Sequence, residues 1–178
     1  MTTEFWKHLS KYKAQLQGRR GKQERWWNLG EDRRWQRTRN RKIASAYFGL
    51  RDQFAVDEDG SGVIVQGYGW LLRTLPTSAG KTAHGLILDA YLCVLTSELF
   101  ETLLGAFAPR VQGGQFNLSA RYSKRVPLPN ADALSARTNN GVPVVRELSE
   151  VGRQIRKAGL SSIDMRFHRQ AVERAYGL

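Results

Sequence analysis

Two stretches of the 178-residue chain hold side chains fit to grip phosphates and to read the edges of bases. One is the cationic series Lys22, Arg25, Arg33, Arg34, Arg37, Arg39, Arg41 and Lys42. The other is Arg110, Gln112, Gln115, Asn117, Arg121 and Lys124, strung around Gly113 and Gly114. Lysine and arginine displace the counterions condensed on a phosphate backbone, which gives a salt-sensitive, sequence-independent grip. Arginine and the side-chain amides can make paired hydrogen bonds to guanine and adenine in the major groove, which gives sequence choice. The first series is therefore expected to set register on phosphates, and the second to reach base edges from a loop. A second candidate reading loop covers residues 73–84, with Arg73 and Lys81 as its cations. A blander role stays open for Gln115 and Asn117, whose side chains are equally suited to capping their own backbone.

The charge distribution favours the same partner. Residues 1–51 hold 14 of the 28 lysines and arginines against four acids, Glu4, Glu24, Glu31 and Asp32, while the remainder is nearly balanced. Four of the five tryptophans, Trp6, Trp26, Trp27 and Trp35, lie in this basic third, where they are expected to be mostly core. A solvated surface without a ligand is the competing reading of the same charge. Other chemistries lack their residues. A nucleotide loop of the G-x-x-x-x-G-K-[ST] kind ending at Gly80-Lys81-Thr82 would need a glycine where Leu75 stands, and would contain Pro76. The DEDGSG run at 57–62 would need a glutamate where Tyr68 stands to hold calcium, so it reads as a turn. His8, His84 and His168 have neither metal-ligand spacing nor a triad arrangement, so no catalytic or metal residue is expected. Cys93, the single cysteine, reads as a core residue and excludes a disulfide framework. Residues 1–10 do not form a signal sequence and no apolar run is long enough to span a bilayer; no membrane partner and a cytoplasmic location are expected.

The elements that must position these groups follow from periodicity. Residues 4–17 have apolar positions at Phe5, Leu9, Tyr12 and Leu16, a helical spacing with stops at Gly18 and Gly21. Residues 42–48, 53–56 and 62–72 read as strands, the last two joined through DEDGSG. In residues 86–107 Leu88, Tyr91, Leu92, Leu95, Leu99 and Leu103 predict one buried helix of about five turns. Gly113 and Gly114 form an elbow after it, and Pro127 and Pro129 fix an extended exit. Residues 130–141 read as a polar linker or surface loop, and 143–157 and 162–176 as two amphipathic helices. The fold class is α+β, with a small, mostly antiparallel sheet, a long buried helix and peripheral helices. The expected division is a basic, tryptophan-rich helix and arm at 1–41, an α+β core at 42–129 and a helical segment at 130–178, forming one globular unit.

The order helix LCVLTSELF (92–100), loop GGQ (113–115) and strand VPLP (126–129) resembles the C-terminal target-recognition domain of Type IIG restriction-modification enzymes and related adenine-N6 DNA methyltransferases. Members of that family show a helix like LL-x-LLNSKLF, a Gly-Gly loop and a closing PIP or PLP. Residues 26–34 (WWNLGEDRR) resemble its W-x-L-x-x-x-R entry, 42–59 its KI…FA-x-D strands, and 172–178 (VERAYGL) its closing V-x-x-AYGL helix. The likeness runs in the family's order over roughly residues 5–178. It departs in one respect: family polypeptides carry a methyltransferase domain before this region, whereas here Met1 stands almost at its start.

The resemblance implies a module that gives sequence specificity to an adenine-specific methyltransferase or restriction complex, plausibly in phage defence, with double-stranded DNA and the catalytic subunit as partners. The chain has no glycine-rich turn for the methyl donor, no Asn-Pro-Pro-Tyr for the flipped adenine and no Asp…Glu-x-Lys nuclease cluster. It is expected not to be an enzyme by itself and to hold no cofactor, S-adenosylmethionine belonging to its partner. Two other classes fit the same residues: an RNA-binding module, and a non-catalytic scaffold subunit of a defence complex.

Overall fold

The chain is described as a computed structural model covering residues 3–19, 25–27, 39–72 and 81–178. It is an α+β protein of helices and small antiparallel sheets, as the periodicities predict. Two compact units are present, Met1–Arg37 and Thr38–Leu178, where the sequence reads as one.

In the first unit the helix predicted over 4–17 is two helices, α1 (Thr3–Ser10) and α2 (Lys13–Gln17). They part at Lys11 and Tyr12, whose N–H groups donate to His8 and Leu9 at 3.2 and 3.1 Å, three residues back, tightening and ending the first helix. Neither helix buries a residue. Of the four tryptophans expected to be mostly core, Trp35 lies outside the described residues and the other three are not core. Trp6 is exposed and Trp26 and Trp27 are half-buried, and the three pack on one another with ring centroids 5.0–5.6 Å apart.

The second unit is built around α3 (Lys81–Leu95). Residues 87–90 and 92–97 are all buried, so the second half of this helix is enclosed by its neighbours and mostly apolar, with Asp89 a charged exception. The single long helix predicted for 86–107 is interrupted. Ser97 adopts an extended conformation, and its Oγ accepts from the Phe100 N–H at 3.1 Å, capping α4 (Glu98–Gly105). Thr96 Oγ1 donates to the Leu92 carbonyl at 2.8 Å and Ser97 Oγ to that of Val94 at 2.6 Å, so adjacent hydroxyls close α3 and open α4. The break turns the buried positions of α4 to Phe100 and Leu104, leaving Leu99 and Leu103 half-buried.

One side of α3 meets a three-stranded antiparallel sheet with β1 (Lys42–Ser45) in the middle. β3 (Phe54–Asp57) and β4 (Tyr68–Trp70) flank β1, with Ile43 opposite both Val56 and Trp70. The two later strands are thus consecutive but do not pair, because β1 lies between them. Period-two alternation puts Ile43, Phe54 and Trp70 on one face, and Phe54 and Trp70 pack edge-on against each other and against Phe100. On the other face Lys42 is fully buried and ion-paired with its register partner Asp57.

The other side of α3 is covered by α7 (Val144–Ala158) and α8 (Met165–Tyr176). At the crossing, a Cβ on Gly152 would lie 1.7 Å from the Asp89 carbonyl oxygen, so only glycine permits this approach. Beside it, Arg156 donates to both Asp89 oxygens at 2.9 and 3.3 Å and also pairs with Glu58. In α8 the buried His168 donates Nε2–H to the Cys93 carbonyl at 2.7 Å. The stretch read as a polar linker is ordered: α6 (Ala131–Ala136) is capped by Asn130, and a hairpin joins β6 (Thr138–Asn139) to β7 (Val142–Pro143). Its turn is Asn140-Gly141 with φ of 50° and 79°, the pair of left-handed residues a two-residue hairpin favours.

Candidate nucleic-acid interface

The segment after α4 is closed by its own backbone before it reaches the sheet. Val111 N–H donates to the Gln115 carbonyl at 2.8 Å and Gly114 N–H to that of Val111 at 3.0 Å. Gly113 and Gly114 supply φ of 82° and 76°, so the elbow predicted there is present. Phe116, buried, opens β5 (Phe116–Asn117), which pairs with β2 (Phe48–Gly49). Leu118 N–H donates to the Tyr47 carbonyl at 3.1 Å, and the chain then enters the short α5 (Ala120–Ser123).

The exit at residues 126–129, expected as a strand, forms none, but is held from two helices at once. Tyr91 of α3 donates its hydroxyl to the Pro129 carbonyl at 2.7 Å, and Tyr176 of α8 donates to that of Pro127 at 2.9 Å. Burial raises both phenols, Tyr176 to about 12, so both keep the proton they donate across the ordinary pH range. Three segments singled out in the sequence, the apolar helix, VPLP and AYGL, therefore meet at residues 127–129. Buried Phe116 and Leu118 before α5, and buried Ser123 and Val126 around its end, fix the segment between.

Of the residues expected to read bases, the structure brings some to the surface and ties others down. Gln112, Arg121 and Lys124 are exposed, and Arg121 lies 5.7 Å from the Tyr122 ring centre. Arg110 is exposed, but its Nη1 donates to the Gly114 carbonyl at 2.8 Å and its guanidinium covers the Phe116 ring at 4.3 Å. Asn117 Oδ1 accepts from Ser119 N–H at 2.9 Å, the backbone-capping alternative. Gln115 is half-buried, and its carbonyl closes the loop.

Among the phosphate candidates, Lys42 must be withdrawn: its ammonium is buried against Asp57 and cannot reach a ligand. Arg41 is half-buried with Glu58 3.5 Å away, so its charge is partly spent inside the protein. Arg39 is exposed, and so is Arg25, in the first unit, 5.5 Å from the Trp27 ring centre. Lys22, Arg33, Arg34, Arg37 and Arg73 lie outside the described residues, as does most of the 73–84 loop; Lys81 is described only as the first residue of α3.

Two features were missed in the sequence. Arg125 is exposed, 4.8 Å from the Phe107 ring centre, and extends the cationic edge of α5. Tyr47 and Phe48 are also exposed, though read as part of a strand. Tyr47 sits in the bend between β1 and β2, so period-two alternation does not govern the pair, and reading 42–48 as one strand hid them. Acids are not kept apart from the candidate residues: Asp52, Glu98 and Glu101 line a groove of about 1170 Å³ beside α4 that Arg51, Arg110 and Phe116 also line. Among the described residues no group of three or more His, Cys, Asp or Glu could hold a metal, and no helix is long and apolar enough to cross a membrane. The chain matches no protein-family model, and no curated protein shows significant similarity to it.

Proposed function

We propose that this chain is a DNA target-recognition module that directs an adenine-specific methyltransferase or restriction complex, working in the cytoplasm as a non-catalytic part of a phage-defence system. The observation that carries the reading is the pinned segment at residues 110–129. It begins at a glycine elbow, exposes Gln112, Arg121 and Lys124, and is held at its exit by Tyr91 and Tyr176. A segment fixed at both ends loses little conformational entropy when its polar side chains meet a base edge. Arg121 and Lys124 supply phosphate contacts, and Gln112 a side chain able to bond an adenine edge. Methyl transfer then belongs to the catalytic subunit, which binds S-adenosylmethionine.

The reading is tested by fluorescence anisotropy of the full chain on duplex DNA across a salt series. Arg121→Ala and Lys124→Ala should each lower the slope of log affinity against log salt by ~0.9 if one phosphate contact is lost. Gln112→Ala should relax preference at one base position, costing roughly 1–3 kcal/mol there, in a site-preference profile taken with the methyltransferase. Unchanged slopes together with an unchanged profile would overturn it, and so would methyl transfer by the chain alone.

A further inference from the structure

Tyr47 and Phe48, consecutive in the chain, are each 39% exposed. Their rings touch, with centroids 4.7 Å apart and planes at 75°. Tyr68 of β4 stacks against Tyr47, 5.2 Å between centroids and 30° between planes, so the exposed ring has a second aromatic behind it.

The backbone beneath is stiff. Ala46 N–H donates to the Gln53 carbonyl at 3.4 Å and Gln53 N–H to that of Leu50 at 3.1 Å, closing the turn that carries the two rings. A Cβ on Gly67 would lie 2.1 Å from the Ser45 carbonyl oxygen, and this close approach sets Tyr68 against Tyr47. Trp70 Nε1 donates to Ser45 Oγ at 2.9 Å and locks the same strand pair.

The backbone that carries the rings pairs with the segment leading into α5. Phe48 is the register partner of Asn117, and the Tyr47 carbonyl accepts from Leu118, the residue that leads into α5 with Arg121 and then Lys124. A rigid aromatic face next to lysine and arginine matches a nucleotide in both its parts, because every base has a π-face and every nucleotide a phosphate. In a paired duplex that face is covered by the neighbouring bases, so the ligand must be a base outside the stack. The exposed Val63 and Val65 offer no such match, being aliphatic.

Resting on the DNA-binding reading above, we propose that Tyr47 and Phe48, backed by Tyr68, form a platform for an unpaired DNA base whose flanking phosphates meet Arg121 and Lys124. The base can come from a single strand or from a nucleotide extruded from a duplex, and both present the same surface.

The test uses the full chain and three labelled DNAs of one sequence: a paired duplex, the same duplex with one bulged base, and the single strand. The wild type should prefer at least one unpaired form over the paired duplex. Tyr47→Ala and Phe48→Ala should each remove that preference, weakening the preferred complex by roughly 5- to 100-fold while leaving the paired duplex unchanged. Tyr47→Phe keeps the ring and should bind as the wild type does. A gain confined to the bulged duplex assigns the ligand to an extruded base, and a gain on the single strand as well assigns it to any unstacked base. Equal wild-type affinity for all three DNAs overturns the platform while the duplex reading stands. So does a Tyr47→Phe variant as weak as Tyr47→Ala. Failure of the wild type to bind the paired duplex at any salt concentration overturns the earlier reading instead.

Discussion

Gly152→Ala tests the helix crossing that the second unit depends on. The added methyl would sit 1.7 Å from the Asp89 carbonyl oxygen and 2.5 Å from its carbon, whereas ordinary contact begins near 3.4 Å. The obstacle is backbone and cannot rotate aside, so α7 and α3 would have to part by the difference, roughly 1.7 Å. A gap of 0.5–1 Å already forfeits about a quarter to a half of each dispersion contact. Along this crossing the buried Leu148, Val151 and Ile155 of α7 would all lose contact. Overpacking of a well-filled core costs roughly 1–3 kcal/mol, and a clash with helix backbone belongs at the upper end. Alanine's better helix propensity offsets at most ~1 kcal/mol of this. The parting would also strain the Arg156–Asp89 pair, one helical turn along. A net loss of about 2–3 kcal/mol is expected, seen as a lower urea midpoint and a Tm lowered by roughly 4–12 °C. Gln154→Ala, on an exposed position of the same helix, is the control and should change stability by less than ~0.5 kcal/mol. If Gly152→Ala proves as stable as this control, the close crossing is wrong.

Three further outcomes follow from the same packing. Burial lowers the pKa of His168 from its ordinary 6.5, so as pH falls below 6.5 the unfolded chain takes a proton that the folded chain refuses, and stability declines toward the folded-state pKa. In urea titrations at pH 5.5 and 7.5 His168→Gln should flatten that decline, and an unchanged pH dependence would refute the assignment. Lys42→Ala should cost roughly 3–5 kcal/mol by leaving Asp57 without its buried partner; a near-neutral effect on stability with weaker DNA binding would restore Lys42 to the phosphate surface. Ser97→Ala removes the cap of α4 and should cost about 0.5–2 kcal/mol by chemical denaturation, against no loss if α3 and α4 are one continuous helix.

Local signals in the chain predict its fold well where the structure is itself local. The glycine elbow, the helices α7 and α8 and the strands β1 and β3 follow from spacing and turn residues, whereas of the strand expected over 62–72 only Tyr68–Trp70 forms. The hairpin at Asn140-Gly141 was also encoded, in a dipeptide strongly biased to such turns, but lay within a run polar enough to resemble a linker. The Thr96-Ser97 break carried its own capping residue, masked by the leucine periodicity on both sides. Strand order was not local: nothing in DEDGSG says that β1 lies between the strands it connects. The same holds for Lys42. Standing at the end of a cationic run it resembled a phosphate contact, and only the register with Asp57 shows its charge neutralised inside. Of the candidate interface, the loop and its anchors were legible as motifs. The two tyrosine hydroxyls that join those anchors depend on the packing of α3 and α8, which no single segment encodes.

The enclosure of the second half of α3 provides an internal clock for deuterium exchange. Amides from Ile87 to Leu95 are expected to exchange only when the second unit opens as a whole, so that their rate would report global stability. Amides at residues 110–124 exchange through smaller, local openings. Slowing at the loop without slowing in α3 would mark a ligand seated on the surface, whereas slowing of both would mark a ligand that stabilises the entire unit.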